Sequence, residues 1–256
     1  MIDTHAHLND KRYAGRVDQI VAGFAAANLE AVINVSYDRK SAEKAAMQAE
    51  RFERVWCAVG VHPHDSKDYT DADGEYFLLK AKDKKAVAIG EIGLDYHYDF
   101  SPRPAQKEAF VKQLYIADKA ELPVIIHLRE AAGDMLDILK AHRNLYRRGI
   151  VMHCFLESTE YAREVLNLGA YISFAGPVTF KNAVKTVEAA RYVPADRYLI
   201  ETDCPYLTPE PHRGQLNESA FVRHVLEKLA DIRGIPVEVA EEETTANAHT
   251  LFHKLY

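Results

Sequence analysis

Short β-branched apolar runs alternate along the chain with stretches whose apolar residues recur every three or four positions. The runs cover residues 2–7, 31–35, 55–61, 86–92, 124–128, 150–155, 170–174 and 198–202. Between them, Val17, Ile20, Val21 and Phe24 follow the i, i+3, i+4, i+7 spacing of one helix face. Ala42, Ala45, Ala46 and Ala49 repeat it, and Phe110, Leu114 and Ala117 line a third face. Ala162, Val165 and Leu166 run up to Gly169, a suitable residue just past a helix end. Phe221, Val222, Val225 and Leu229 form a further stripe, stopped by Gly234 and Pro236. Strands of unbroken Val/Ile/Ala character joined by helical crossovers predict a parallel sheet buried on both faces. Eight such units predict the α/β class, as a single closed (β/α)8 TIM barrel forming one domain over residues 1–256. The alternative, an open doubly wound sheet, calls for a Gly-rich first turn after a strand, where this chain reads HAHLND.

Composition narrows the function classes. The 256 residues carry a net charge of −6, which argues against a protein that coats DNA by counterion release but not against an enzyme that grips one nucleic-acid end. No apolar run approaches the ~18 residues of a membrane span. The opening MIDTHAHLND lacks the basic and greasy regions of a secretory signal. Three cysteines without a CxxC pair exclude a disulfide scaffold and point to a reducing cytoplasm. A monomer without an obligate protein partner is the expectation.

In a barrel, chemistry gathers at the C-terminal strand ends. These positions are roughly an eighth of the chain, so about one or two of the 12 histidines belong there by chance. Six fall there: His5, His7, His62, His64, His127 and His153. His5 and His7 are two apart on the first strand, so both point the same way, into the barrel. Two adjacent imidazoles in a closed core are hard to satisfy by hydrogen bonds alone, and a divalent metal satisfies both. Glu91 ends the fourth run, and a carboxylate inside a barrel is costly unless paired or metal-bound. His127, His153 and Asp203 end the fifth, sixth and eighth runs. Asp203 is also a natural turn starter ahead of Pro205. Six convergent donors exceed one tetrahedral ion and suit two cations with Glu91 between them. Cys154 and Cys204 adjoin candidate ligands, and strand alternation points both away, into packing. Arg129 shares the face of His127, as a phosphate anchor or an ion-pair partner. Tyr96 and Tyr206 lie near these motifs and are candidates for stacking a terminal base.

DTHAHL, GVHPH, GEIGLDYHYD, PVIIHLREA, HCF and ETDCPYLTP together resemble the TatD family of metal-dependent deoxyribonucleases, among the amidohydrolase-like barrels. The resemblance runs from Met1 to the closing TANAHTLF. It implies a two-metal (β/α)8 barrel with 3′-to-5′ exonuclease activity on DNA ends, single-stranded ones being the expected substrate. By position it assigns His5, His7, Glu91 and Asp203 to one metal, and Glu91, His127 and His153 to the other. It makes His62 and His64 substrate-facing, and has Asp95 and Glu201 orient ligands from behind. Where the family carries a basic RGKRNEP-like stretch, this chain reads RGQLNES from Arg213 to Ser219. Arg213 is then that loop's substrate-binding cation, because Gln215 and Leu216 carry no charge.

The expected reaction is phosphodiester hydrolysis by a water activated between the two metals, with Asp203 as general base. Arg129, His62 and His64 would steady the phosphate. The ligand chemistry accommodates Zn, Mn, Co or Ni, and the family resemblance adds Mg. One alternative is an amide or ester hydrolase on the same barrel, such as an aminoacyl-tRNA deacylase. A carboxylated lysine on the fourth strand would favour that class, and no lysine lies within residues 86–94. The other is a metal-stabilised binding module without catalysis, for which a retained Asp203 has no purpose.

Overall fold

The computed structural model describes residues 1–255. Eight parallel strands among the described residues follow one another in chain order: β1 (Ile2–Ala6), β2 (Ala31–Val35), β3 (Val55–Val59), β4 (Ala86–Asp95), β5 (Val124–Arg129), β6 (Ile150–Met152), β7 (Tyr171–Phe174) and β8 (Tyr198–Ile200). Beyond its last residue, β8 closes on β1. The His7 N–H donates to the Cys204 carbonyl at 2.7 Å, and the Asp203 N–H donates to the His5 carbonyl at 2.9 Å. The Thr4 hydroxyl donates to the Ile200 carbonyl at 2.9 Å. The eight runs of the pattern reading thus become the eight staves of a TIM barrel.

Helices α1 (Val17–Ala22), α2 (Arg39–Arg51), α3 (Asp71–Lys80), α4 (Arg103–Ala120), α5 (Ala132–Ala141), α6 (Thr159–Asn167), α7 (Val184–Tyr192), α8 (Val222–Arg233) and α9 (Val237–Leu251) complete the alternation. Their starts are chemically marked. Asp38 caps α2 by accepting the Ser41 N–H while Ser41 reaches back to Asp38, and Thr70 and Asp73 do the same for α3. Ser158 caps α6. No helix among the described residues is long and apolar enough to cross a membrane.

Two apolar layers follow from the period-two pleat. On β2, Ala31, Ile33 and Val35 fill the barrel interior, while Val32 packs outward against the helices. The interior cluster also takes in Leu251, Phe252 and Leu255 after and at the end of α9. Each fully buried Ile or Phe contributes about 1.5–3 kcal/mol. Register shifts between Asp3 and Ala6 on β1 and between Ile89 and Ile92 on β4 adjust which residues point inward. After them, Ala6 and Ile92 pack outward, and His5, His7 and Glu91 turn into the mouth.

Strand ends differ from the sequence reading for identifiable reasons. β4 runs three residues further, to Asp95, because Gly93 lets it lie flush on β5: its φ is +148°, and a Cβ there would stand 2.0 Å from the His127 carbonyl oxygen. β3 stops at Val59, and Pro63 opens a 3-10 turn over Pro63–Asp68 that carries His62 and His64 above the barrel. β6 stops at Met152, so alternation does not reach Cys154.

Candidate metal centre

The barrel mouth gathers the donors that the strand ends supply. The His5 Nε2 and His7 Nε2 atoms are 3.2 Å apart. His7 Nε2 stands 3.3 Å from Asp203 Oδ1, and His5 Nε2 stands 3.8 Å from it. Glu91 divides its two oxygens. Its Oε2 lies 3.4 Å from His5 Nε2 and 3.7 Å from His7 Nε2. Its Oε1 lies 2.7 Å from His127 Nδ1, 2.8 Å from His153 Nε2 and 3.5 Å from His62 Nε2. With metal–ligand bonds of about 2.1 Å, donors stand about 3.0–3.4 Å apart around one ion. The observed spacings, 2.7–3.8 Å, bracket that range, so the donor set fits divalent cations. Three overlapping groups result: His5, His7 and Asp203; His5, Glu91 and His153; and His62, Glu91 and His127.

The partners behind the rings set their tautomers. His7 Nδ1 lies 2.9 Å from the Val35 carbonyl, which only accepts, so this nitrogen carries the proton and Nε2 keeps its lone pair. His153 Nδ1 is 3.3 Å from Glu201 Oε1, and His127 Nε2 is 3.0 Å from Asp95 Oδ2, the same logic on two more rings. Asp95 and Glu201 therefore lie where ligand-orienting carboxylates are expected. Glu201 Oε1 also accepts the Cys154 N–H at 2.7 Å. His5 Nδ1 has no hydrogen-bond partner.

Electrostatics favour ionised carboxylates here. Burial works against the Glu91 charge, but His153, His62 and His127 outweigh it and hold the carboxyl well below its usual range. For Asp203 burial is again the opposing effect, overcome by the His7 hydrogen bond and the charges of His5 and His7. His62 is pushed down to about 4, first by burial and then by its neighbour His127. His153 is raised well above its usual value: burial opposes its charge, and Glu91 and Glu201 prevail.

Asp203 is both a turn residue and a member of the site. Its φ of +54° places it in the left-handed region, which Asp tolerates, and its carbonyl accepts the Tyr206 N–H at 3.0 Å. The turn aims the carboxylate at His7. His62 is buried within the cluster, deeper than a purely substrate-facing position. His64 stands one ring outward, 27% exposed, its Nε2 3.1 Å from Asp95 Oδ2. Arg129 is exposed at the end of β5, its guanidinium 4.8 Å from the Tyr98 ring centre. Arg213 is not gathered into the cluster. It packs 3.9 Å from the Phe180 ring centre and donates to the Thr208 carbonyl at 3.2 Å.

Two expectations need correction. Cys154 does not pack away from the site by alternation: it follows the end of β6 with φ +43°, is half-buried, and feels the charges of Asp203, Glu201 and Glu91 after the dominant effect of burial. Cys204 is fully buried beside Ser219, as the pattern predicts. Tyr96 is less open to a base than expected, because it is half-buried and its hydroxyl donates to Asp134 at 2.6 Å. The sequence reading passed over Asp3. It is buried, takes the Thr202 N–H at 2.9 Å and hydroxyl at 2.7 Å, and so fixes the strand end that leads to Asp203. Burial pushes its carboxyl up to about 7 against the Thr202 bonds. Its position two residues before His5 on the first strand was the only signal.

Residues 2–253 match the family described as TatD related DNase. An uncharacterized metal-dependent hydrolase of Bacillus subtilis, YabD, is 42% identical over 252 residues, covering 98% of each chain. The 3′-5′ ssDNA/RNA exonuclease TatD of Klebsiella pneumoniae is 33% identical over 98% of this chain and 97% of its own. The crystal structure of YJJV, a TatD homologue of Escherichia coli, superposes with a TM-score of 0.93 at 28% identity, covering 99% of this chain and 98% of the other. The chain belongs to the TatD-related DNase family of metal-dependent hydrolases.

Proposed function

We propose that this hydrolase is a phosphodiesterase that removes nucleotides from single-stranded DNA in the 3′-to-5′ direction, using two divalent cations. The division of Glu91 carries the reading: one oxygen faces His5 and His7, and the other faces His127 and His153. A carboxylate placed this way would be able to serve two cations, one at each oxygen. The first would be held by His5, His7, Glu91 and Asp203, and the second by Glu91, His127 and His153, with His62 within reach. When bound, such cations supply Lewis acidity toward a phosphoryl oxygen and make water acidic enough to attack at neutral pH.

The chain's own residues do the rest. Asp203, ionised and at the mouth, accepts the proton of the attacking water. Asp95 and Glu201 hold His127 and His153 in the tautomers that leave a lone pair facing Glu91. His64 and Arg129, on the outer side of the cluster, offer donors to a phosphate. The family membership and the activity named for the Klebsiella relative support the choice of nucleic acid.

A second reading, hydrolysis of an aminoacyl ester, has one observation in its favour. The segment Arg213 to Ser219 presents a single cation, Arg213, which lies over Phe180 and donates to the Thr208 carbonyl, and Leu216 packs against the core. Such a loop suits a substrate with few phosphates. The test presents metal-stripped and metal-reloaded protein with single-stranded DNA, a nucleotide phosphodiester and an aminoacyl ester. Metal-restored cleavage of DNA supports the first reading. Metal-restored cleavage of the aminoacyl ester alone overturns it in favour of the second.

A further inference from the structure

The segment joining β4 to α4 holds two large rings in the open at the edge of the metal centre. Tyr98 is 47% exposed and Phe100 58% exposed. They stack on each other, with ring centres 5.2 Å apart and planes inclined by 25°. Single exposed aromatics are common on protein surfaces. A stacked pair beside a polar cleft is different, because a further flat ring can extend the stack on an exposed outer face.

This face is held at a fixed distance from the reacting centre. Asp95 Oδ1 accepts the N–H groups of His97 at 3.1 Å and Tyr98 at 3.0 Å. The other oxygen of the same carboxylate, Oδ2, holds His64 and His127. One side chain therefore fixes both the ring-bearing loop and a candidate metal ligand. Beyond Phe100, the buried Ser101 hydroxyl donates to the His64 carbonyl at 2.7 Å. The His64 ring makes edge contacts with Tyr98 at 5.4 Å and Phe100 at 4.8 Å between centres. The exposed rings are thus borne by an anchored backbone, so little ordering entropy is lost when something stacks on them. Arg129, over the Tyr98 ring, brings a cation to the same face.

We propose that Tyr98 and Phe100 form a stacking platform for a nucleobase adjoining the reacting phosphate, with Arg129 as the cation for the neighbouring backbone phosphate. The platform makes the centre select single-stranded nucleic acid, whose bases are free to unstack, and it tolerates any base because every base has a π-face. This rests on the phosphodiesterase reading. Nothing in the pair reads a base edge, so discrimination among the four bases is weak.

The test uses the full chain carrying Asp203→Asn, loaded with manganese, and a short single-stranded oligonucleotide with 2-aminopurine near its 3′ end. Stacking on the platform quenches the 2-aminopurine fluorescence. Adding Tyr98→Ala and Phe100→Ala should abolish the quench and weaken binding about 5- to 150-fold, the range for losing one base–aromatic stack. Tyr98→Phe with Phe100→Tyr should keep both signals. An oligonucleotide with abasic residues at the 3′ end should bind weakly to the Asp203→Asn chain and no more weakly to the double alanine variant. The platform is overturned if the double alanine variant keeps its affinity and quench. It is equally overturned if that variant loses natural and abasic oligonucleotides alike. In those cases, continued DNA cleavage by the unaltered chain leaves the phosphodiesterase reading standing. If the unaltered chain instead spares DNA and hydrolyses only aminoacyl esters, that reading fails and the platform with it.

Discussion

The loops after β4 and β8 flank the same candidate metal centre and use their side chains differently. After β4, the backbone is anchored by Asp95, Ser101 and Gln106, while Tyr98 and Phe100 face outward. After β8, several polar side chains are used within the loop, while Tyr206 is 44% exposed and Arg213 and Gln215 face solvent. Asn217 is fully buried and donates to the Thr202 and Tyr206 carbonyls, and the Tyr13 hydroxyl donates to the Asn217 carbonyl. His212 stacks on Phe221 at 4.2 Å and meets His224 Nε2 at 3.0 Å. Arg213 lies on Phe180. A loop's residue types alone do not tell whether they contact a substrate or hold the loop together. The partners decide, and the proposed substrate contact lies on the β4 side.

The largest effects should come from the centre that the two loops share. Asp203→Asn should lower turnover by ~10²-fold or more, the usual size for losing a general base. The replacement is nearly isosteric, so thermal unfolding should shift little. Near-normal turnover of metal-loaded Asp203→Asn would remove Asp203 from the chemistry.

Next in size is Asp95, which serves the centre and the β4 loop together. Asp95→Ala should reduce metal affinity by roughly 10- to 100-fold, as expected when a partner of a ligand histidine is lost. It should also weaken oligonucleotide binding in chelator, where the metals play no part. Loss of only one of these properties would break the link that Asp95 makes.

Asn217→Ala probes the β8 loop from the other direction. Two carbonyls lose their donors and a buried amide disappears, at a cost of about 1–3 kcal/mol in unfolding free energy. Urea denaturation reads that loss. An unchanged midpoint would show that the loop is not held as described.

The smallest effects separate the two arginines. Each Lys or Arg contact with a phosphate contributes about −0.7 to the slope of log affinity against log salt on single strands. Arg129→Ala should make that slope shallower by about 0.7, and Arg213→Ala should leave it unchanged. The reverse result would move the nucleic-acid path to the β8 side and undo the contrast between the loops.

Much of this was legible in the sequence because its signals are local. The barrel was readable from eight β-branched runs, and His5 and His7 from their two-residue spacing on the first of them. Several helices leave no stripe to read. α3 buries only Phe77, and α7 buries Thr186, Ala189 and Ala190, residues too small or polar to mark a face. Glu91, His127, His153 and Asp203 could be found because each lies within the last residues of an apolar run or just past it. His62 could not be placed inside the cluster, because it follows the end of β3 and its direction is set by the turn that Pro63 opens. Cys154 was misdirected by an alternation that had already ended. The platform was hidden because Tyr96, the first ring after Asp95, offers the same residue type, and only its burial and the Asp134 contact show that it is held in place.

The central claim is that Glu91 stands between two ions. Anomalous diffraction from a crystal of the manganese-loaded chain tests it most directly. Two peaks are predicted, one against His5, His7 and Asp203 and the other against His127 and His153, with one Glu91 oxygen on each. A single peak, or two peaks with Glu91 bound to neither or to only one, would contradict the account.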